Sequence, residues 1–199
     1  MAEKFTSFTA VAAPYDPINV DTDQIIPARF LKAPREKGYG AFLFHDVRED
    51  ANFILNQKPF DRAKILVGNT NFGCGSSREG APYAFHDAGF RSVIAPSFGD
   101  IFFSNCMKNG IVPVRLDEKI CSSLRQFLRK SPGSELTVDL RSNEVTTPIG
   151  EFAFSVPAFF REMLLEGLDE IGLTLSMLPE IEAFEKDYAA PKPWQTPLS

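Results

Sequence analysis

The sequence has almost none of the features that mark membrane proteins, disulfide scaffolds or nucleic-acid binders. No uncharged apolar stretch approaches the roughly 18–20 residues needed to cross a bilayer. Residues 1–15 contain too much Thr and Ser for the core of a signal peptide, so a cytoplasmic location is expected. Cysteine is scarce: Cys74, Cys106 and Cys121 are an odd number at wide spacings, which leaves neither a disulfide framework nor a C-x-x-C metal knuckle. No metal site is expected, and the chain cannot hold an iron-sulfur cluster alone. Runs of Lys or Arg are missing, and 21 basic against 26 acidic residues give a formal charge of -5. That balance argues against nucleic acid or an anionic membrane as the main partner. A small anionic substrate would have to find local basic residues. Repeats and low-complexity segments are absent too.

What is present is a globular composition of 199 residues, 44% hydrophobic and 24% charged, long enough for one good-sized domain. Nineteen Phe predict a large aromatic core. Residues 5–12 read as a first strand, broken by Pro14 and Pro17. Residues 32–61 mix Gly, Pro, charge and aromatics, which predicts a mobile loop with short helical pieces rather than a core element.

The centre is clearer. Apolar strands are expected at 64–68, 92–96 and 111–116, separated by helices from about 77 to 88 and from about 98 to 108. Strand, helix, strand, helix, strand implies a parallel sheet. In the second of these helices Phe98, Ile101, Phe102 and Cys106 share a face, Ser97 and Asp100 form a capping box, and Asn109-Gly110 terminate it. A helix over 117–130, a β hairpin from two alternating stretches (136–140 and 152–156) and a helical region over 158–187 follow. Pro179 suits a first turn there. The expected fold class is α/β with a mixed sheet and flanking helices, the second-half strands being able to form a small sheet of their own. The single domain would span 1–188, with a Pro-rich arm over 189–199.

Chemistry concentrates in residues 68–79, Gly-Asn-Thr-Asn-Phe-Gly-Cys-Gly-Ser-Ser-Arg-Glu. This is not a P-loop, which needs Lys then Ser or Thr after its second glycine, and a dinucleotide fingerprint would need glycine at Arg78. Two serines and an arginine at a helix mouth instead suit a carboxylate or oxyanion. Gly73 and Gly75, on either side of Cys74, permit close approach; Arg78 offers a bidentate fork. A serine hydroxyl among positive charges can act as a base. Ser76 with Glu79 equally fits a capping box, so Ser76 can also be a plain N-cap. Cys74 as a nucleophile would need a placed histidine, and neither His45 nor His86 is in readable register with it.

Three stretches together resemble a known family: Asn19-Val20-Asp21-Thr22-Asp23 with Ile25-Ile26-Pro27, then Asn71 to Glu79, then Ile94-Ala95-Pro96-Ser97-Phe98-Gly99-Asp100-Ile101-Phe102. They are similar to the small subunits of 3-isopropylmalate dehydratases, in the aconitase superfamily. The resemblance implies a swivelling β/β/α domain, aconitase C-terminal-domain-like, docked on a large subunit that carries a [4Fe-4S] cluster. It implies a hydro-lyase of leucine biosynthesis acting on a small hydroxy-diacid, isopropylmalate. Carried over by motif, the catalytic residues are Ser76, the base, and Asp23, in the polar network linking active-site water and substrate; Ser77 and Arg78 hold substrate carboxylate, and Thr22 is substrate-binding. A further arginine after Asp23 is Arg29 or Arg35. One departure is visible: Gly80 stands where the family commonly has histidine. A related hydro-lyase acting on methylmalate, citraconate or homocitrate, and a non-catalytic carboxylate-binding module, are the alternative readings.

Overall fold

The computed structural model of the chain describes residues 3–76 and 79–189. Ser77 and Arg78 lie outside them, as does the expected arm from position 190 onward. Strands β1 (Ser7–Pro14), β2 (Ile65–Val67), β3 (Ser92–Ala95) and β4 (Val112–Arg115) pair successively and in parallel. On the other side of β1 lie β5 (Glu135–Asp139), β6 (Glu144–Thr147) and β7 (Gly150–Ala153), all antiparallel to their neighbours. The result is one seven-stranded mixed sheet in the order β4-β3-β2-β1-β5-β6-β7.

The second-half strands do not form a separate sheet. The reason is the length of β1: positions 7–11 pair with β5 and positions 12–14 pair with β2, so one strand belongs to both halves. β6 is an addition to the expected hairpin. Its only buried residue is Val145, between Glu144 and two threonines, so the sequence offers little alternation to read. Every residue of β2 and β3 is buried, the pattern of parallel strands covered on both faces.

The helices are α1 (Thr22–Ile25), α2 (Gly80–Asp87), α3 (Asp100–Lys108), α4 (Glu118–Lys130), α5 (Ala158–Glu166), α6 (Glu170–Ser176) and α7 (Leu178–Ala189). Asp117 caps α4 by accepting from the Lys119 N–H at 2.8 Å. Cys121, Leu124 and Leu128 then fall on one buried face, packed across β1, β2 and β3. Burying each leucine contributes about 1.5–3 kcal/mol. Gly167, in left-handed conformation, ends α5, and Pro179 sits in the first turn of α7.

Two expectations for α3 need correction. Its buried residues are Phe102, Phe103, Cys106 and Met107, while Ile101 is exposed. The Ser97–Asp100 capping box does not form, because the cap position is Gly99 and the Ser97 hydroxyl oxygen instead accepts from the Asn71 N–H at 2.8 Å. Asn109 and Gly110 do end the helix.

The phenylalanines build an aromatic core. Phe72, Phe85 and Phe102 are mutually packed at centroid distances of 5.7–6.2 Å, with Phe98 on Phe72 and Phe44 on Phe85. Residues 28–62 run as six short 3-10 turns. They nonetheless reach this core, since Leu43 and Phe44 are fully buried and Phe53 and Leu55 nearly so. The segment is also pinned to α2. Arg35 donates twice to Asp87, at 2.5 and 3.1 Å, and lies over the Tyr83 ring, while the Tyr39 N–H donates to the same carboxylate at 2.6 Å.

Candidate active site at the glycine-rich loop

β1 and β2 are adjacent and parallel, so the segments that follow them leave the sheet side by side. The first carries residues 15–23 and the second carries the glycine-rich loop. Backbone bonds then stitch them together. Gly73 and Cys74 N–H groups both donate to the Val20 carbonyl, at 2.7 and 3.1 Å, Thr22 N–H donates to the Cys74 carbonyl at 3.0 Å, and Asn19 N–H donates to the Thr70 carbonyl at 3.0 Å. The Asn71 side chain donates to Asn19 Oδ1 at 2.8 Å.

The segment after β3 joins from the other side. Phe72 N–H donates to the Ser97 carbonyl at 3.0 Å, and Gly99 N–H donates back to the Phe72 carbonyl at 2.9 Å. Two glycines make the approach possible. Gly73 has φ +71°, and a Cβ there would stand 2.2 Å from Phe102 Cγ; a Cβ at Gly99 would stand 2.5 Å from the Gly73 carbonyl oxygen. Three stretches far apart in sequence thus converge on one loop.

Ser76 lies exposed beyond Gly75 at the tip of this arrangement. Its carbonyl accepts from the buried Thr22 hydroxyl at 3.0 Å. Thr22 is therefore a clasp beneath the loop. The capping reading for Ser76 is not what the structure contains: α2 begins at Gly80, its cap position is Glu79, and no side-chain capping bond is made there. Asp23 is exposed on α1 and accepts from the Ala28 N–H at 3.2 Å, which sets Arg29 one residue away along the chain. The position is open to one side, with Asp23, Gly75, Ser76 and Glu79 all exposed.

The two candidate arginines separate by their partners. Arg35 is committed to the Asp87 clamp on α2. Burial alone would raise the Asp87 carboxyl, but the bonds from Arg35 and the Tyr39 N–H outweigh it and hold the pKa below its ordinary value. Arg29 forms a two-bond pair with Asp46, with both side chains about half exposed, and such pairs hold weakly. Arg29 is thus held less firmly than Arg35.

The thiols do not form a ligand set. Cys106 and Cys121 are buried in different helices and burial pushes both thiols up, that of Cys121 to about 11. Cys74 is half-buried and raised by burial and by the nearby Asp21 charge, which makes it a poor nucleophile. With Cys74 on the loop, Cys106 in α3 and Cys121 in α4, the described residues bring no set of thiols together as an iron-sulfur cluster requires. Among the described residues His45, Asp46 and Glu49 bring ligand atoms within 4.8 Å of one another, but Asp46 is already engaged by Arg29. His86 stands 3.7 Å from Asp87, with its pKa lowered by burial and by Arg91, as befits a structural imidazole. Sequence reading assigned nothing to Asn19. Its signal was a polar residue that tolerates positive φ, and its φ is +54°.

The parallel strands, their flanking helices and the loops gathered at the strand ends define a domain of the aconitase C-terminal class. The profile for the Aconitase C-terminal domain matches residues 2–119, and that for the C-terminal domain of the 3-isopropylmalate dehydratase small subunit matches residues 170–197. The chain belongs to the family of 3-isopropylmalate dehydratase small subunits. It is 49% identical to the small subunit from Gluconacetobacter diazotrophicus, covering 98% of this chain and 97% of that one, and 52% identical to that from Gluconobacter oxydans, covering 92% and 91%. The crystal structure of 3-isopropylmalate dehydratase (leuD) from Methanocaldococcus jannaschii is similar in fold, with a TM-score of 0.66 at 24% identity over 89% of this chain and 99% of that one.

Proposed function

We propose that this chain is the small subunit of a cytoplasmic hydro-lyase that interconverts 2- and 3-isopropylmalate in leucine biosynthesis, paired with a large subunit. The observation that carries the reading is full-length similarity to relatives of that name combined with three converging segments that present Ser76 at an exposed loop tip. Among the described residues no helix is long and apolar enough to cross a membrane.

In this reading Ser76, as alkoxide, takes the proton from the carbon next to a carboxylate. The freed electron pair forms the alkene as hydroxide leaves; hydroxide then adds to the carbon that lost the proton, and Ser76 returns that proton to the carbon that lost the hydroxyl. A [4Fe-4S] cluster, expected on the large subunit, supplies the Lewis acid for the departing hydroxyl. This chain's part is to hold the diacid and move the proton. A serine is too weak a base unless positive charge surrounds it; Arg78 and Arg29 are the charges offered. Ser77 and Arg78 grip carboxylate, Thr22 fixes the loop, and Asp23 joins the polar network. Arg35 is left to its structural clamp.

The test is coexpression with the large subunit and assay against a panel of hydroxy-diacids, with isopropylmalate the expected substrate; turnover only of another acid overturns the assignment. Ser76→Ala is expected to lower kcat at least ~100-fold with complex formation and cluster content unchanged, and retention of kcat within a few-fold removes Ser76 as base. Arg78→Lys keeps charge but loses the planar fork, so KM should rise while kcat holds; unaltered KM would place Arg78 elsewhere.

A further inference from the structure

Arg125 is a charged side chain on the buried face of α4, in line with Cys121, Leu124 and Leu128, and only 7% exposed. Its surroundings are specific. One guanidinium nitrogen donates to the Gly68 carbonyl at 2.6 Å, and Nε donates to Asp16 Oδ1 at 3.1 Å. The Asp16 carbonyl in turn accepts from the Asn69 side chain at 2.7 Å, and Tyr15 N–H donates to the Val67 carbonyl at 2.8 Å. Arg129 completes the cluster from the solvent side by pairing with the other Asp16 oxygen.

These contacts lie where both site-bearing segments leave the sheet. Gly68 is the first residue after β2 and Asp16 follows the end of β1 by two positions. Downstream of Gly68 runs the loop to Ser76; downstream of Asp16 runs the segment to Thr22 and Asp23. An apolar residue at 125 would suit the helix face better, because a buried guanidinium is costly unless fully partnered. We infer that Arg125 is a positioning residue, whose planar fork fixes the common root of the two loops and so sets where Ser76 stands relative to Asp23. Lysine cannot reproduce this, since a point charge lacks the fork's fixed geometry.

The activity arm of the test rests on the hydro-lyase reading, and the exchange arm does not. In the assembled enzyme with both subunits present, Arg125→Lys is expected to lower kcat 10-fold or more with KM within three-fold. Carboxylate binding by a long, flexible arginine side chain tolerates a small shift, whereas proton transfer is sensitive to ångström-scale misplacement. Amide hydrogen exchange should quicken at least 10-fold over residues 68–76 and stay unchanged over 112–115. Arg161→Lys is the control: Arg161 also donates to backbone carbonyls, of Leu140 and Arg141, but beside the antiparallel strands, and should leave kcat as it is. If Arg125→Lys fails to fold, Asp16→Asn removes the same pair from its half-exposed side and is expected to give the same split and the same local exchange. Wild-type kcat and exchange in the folded variant, or an equal loss in the control, overturns the assignment. A wild-type enzyme inactive on every diacid instead overturns the hydro-lyase reading, and exchange over 68–76 alone then decides the role of Arg125.

Discussion

The two halves of the sheet share β1 but solve the connection problem differently. From β1 to β4 each strand runs parallel to the last, so each link must cross back over the sheet. The segments leaving the strands are long, and they emerge together at the ends of adjacent strands. From β5 to β7 each link is a tight turn, exemplified by Thr147 bonding its hydroxyl to the Gly150 carbonyl at 2.8 Å. The antiparallel half is compact in its links and carries none of the proposed site residues. The parallel half places many residues between strands and thereby brings positions 19–23, 71–76 and 97–99 into contact. Adjacent parallel strands thus gather distant motifs at one place.

If that contrast is right, core substitutions should be costly beneath the loops and mild in the meander. The largest effect is expected at Phe72, fully buried and packed on Tyr15, Phe85, Phe98 and Phe102. Phe72→Ala should cost about 3–5 kcal/mol, against about 1 kcal/mol for the half-buried Phe152→Ala. Chemical denaturation of both variants measures the difference, and equal losses would break the comparison.

Next in size is Gly73→Ala. It forces an L side chain into positive φ and against the Phe102 ring, so about 2–3 kcal/mol should be lost. Thr146→Ala, exposed on β6, should stay within about 0.5 kcal/mol. Thermal unfolding tests the pair, and a Gly73→Ala protein as stable as wild type would mean that the loop can move away from α3.

The smallest effect concerns the clamp that ties residues 35–39 to α2. Because the Asp87 pKa is depressed in the folded state, its contribution is present above the unfolded value of about 3.9 and is lost as pH falls through the lower folded value. Asp87→Asn should therefore cost about 1–2 kcal/mol at neutral pH and little once the pH is well below 3.9. A pH-independent deficit in urea unfolding would assign the loss to packing rather than charge.

Much of this was legible in the sequence. The apolar runs at 64–68, 92–96 and 111–116 marked the parallel strands because strands buried on both faces leave no alternation to misread. The helix expected over 117–130 was equally plain, since α4 spans Glu118–Lys130. β6 was not, because Val145 stands alone among polar residues. Nor was the start of α2: Ser76 and Glu79 carry a capping signature, yet α2 begins at Gly80, and Gly73, Cys74 and Ser76 are bonded to Val20 and Thr22 instead. Those bonds are long-range, and local pattern does not register them. Arg29 and Arg35 were indistinguishable for the same reason, since the choice lies with Asp46 and Asp87.

The Thr22 hydroxyl that holds the Ser76 carbonyl bridges 54 positions of sequence, and the Asn71–Asn19 bond bridges 52. Closing such spans costs chain entropy before either bond repays it. The pairing of Ala12 with Ile65 closes a nearly equal span, so the loop bonds are brought within reach when β1 and β2 come together. Strand pairing and assembly of the loop are thus one event, not two.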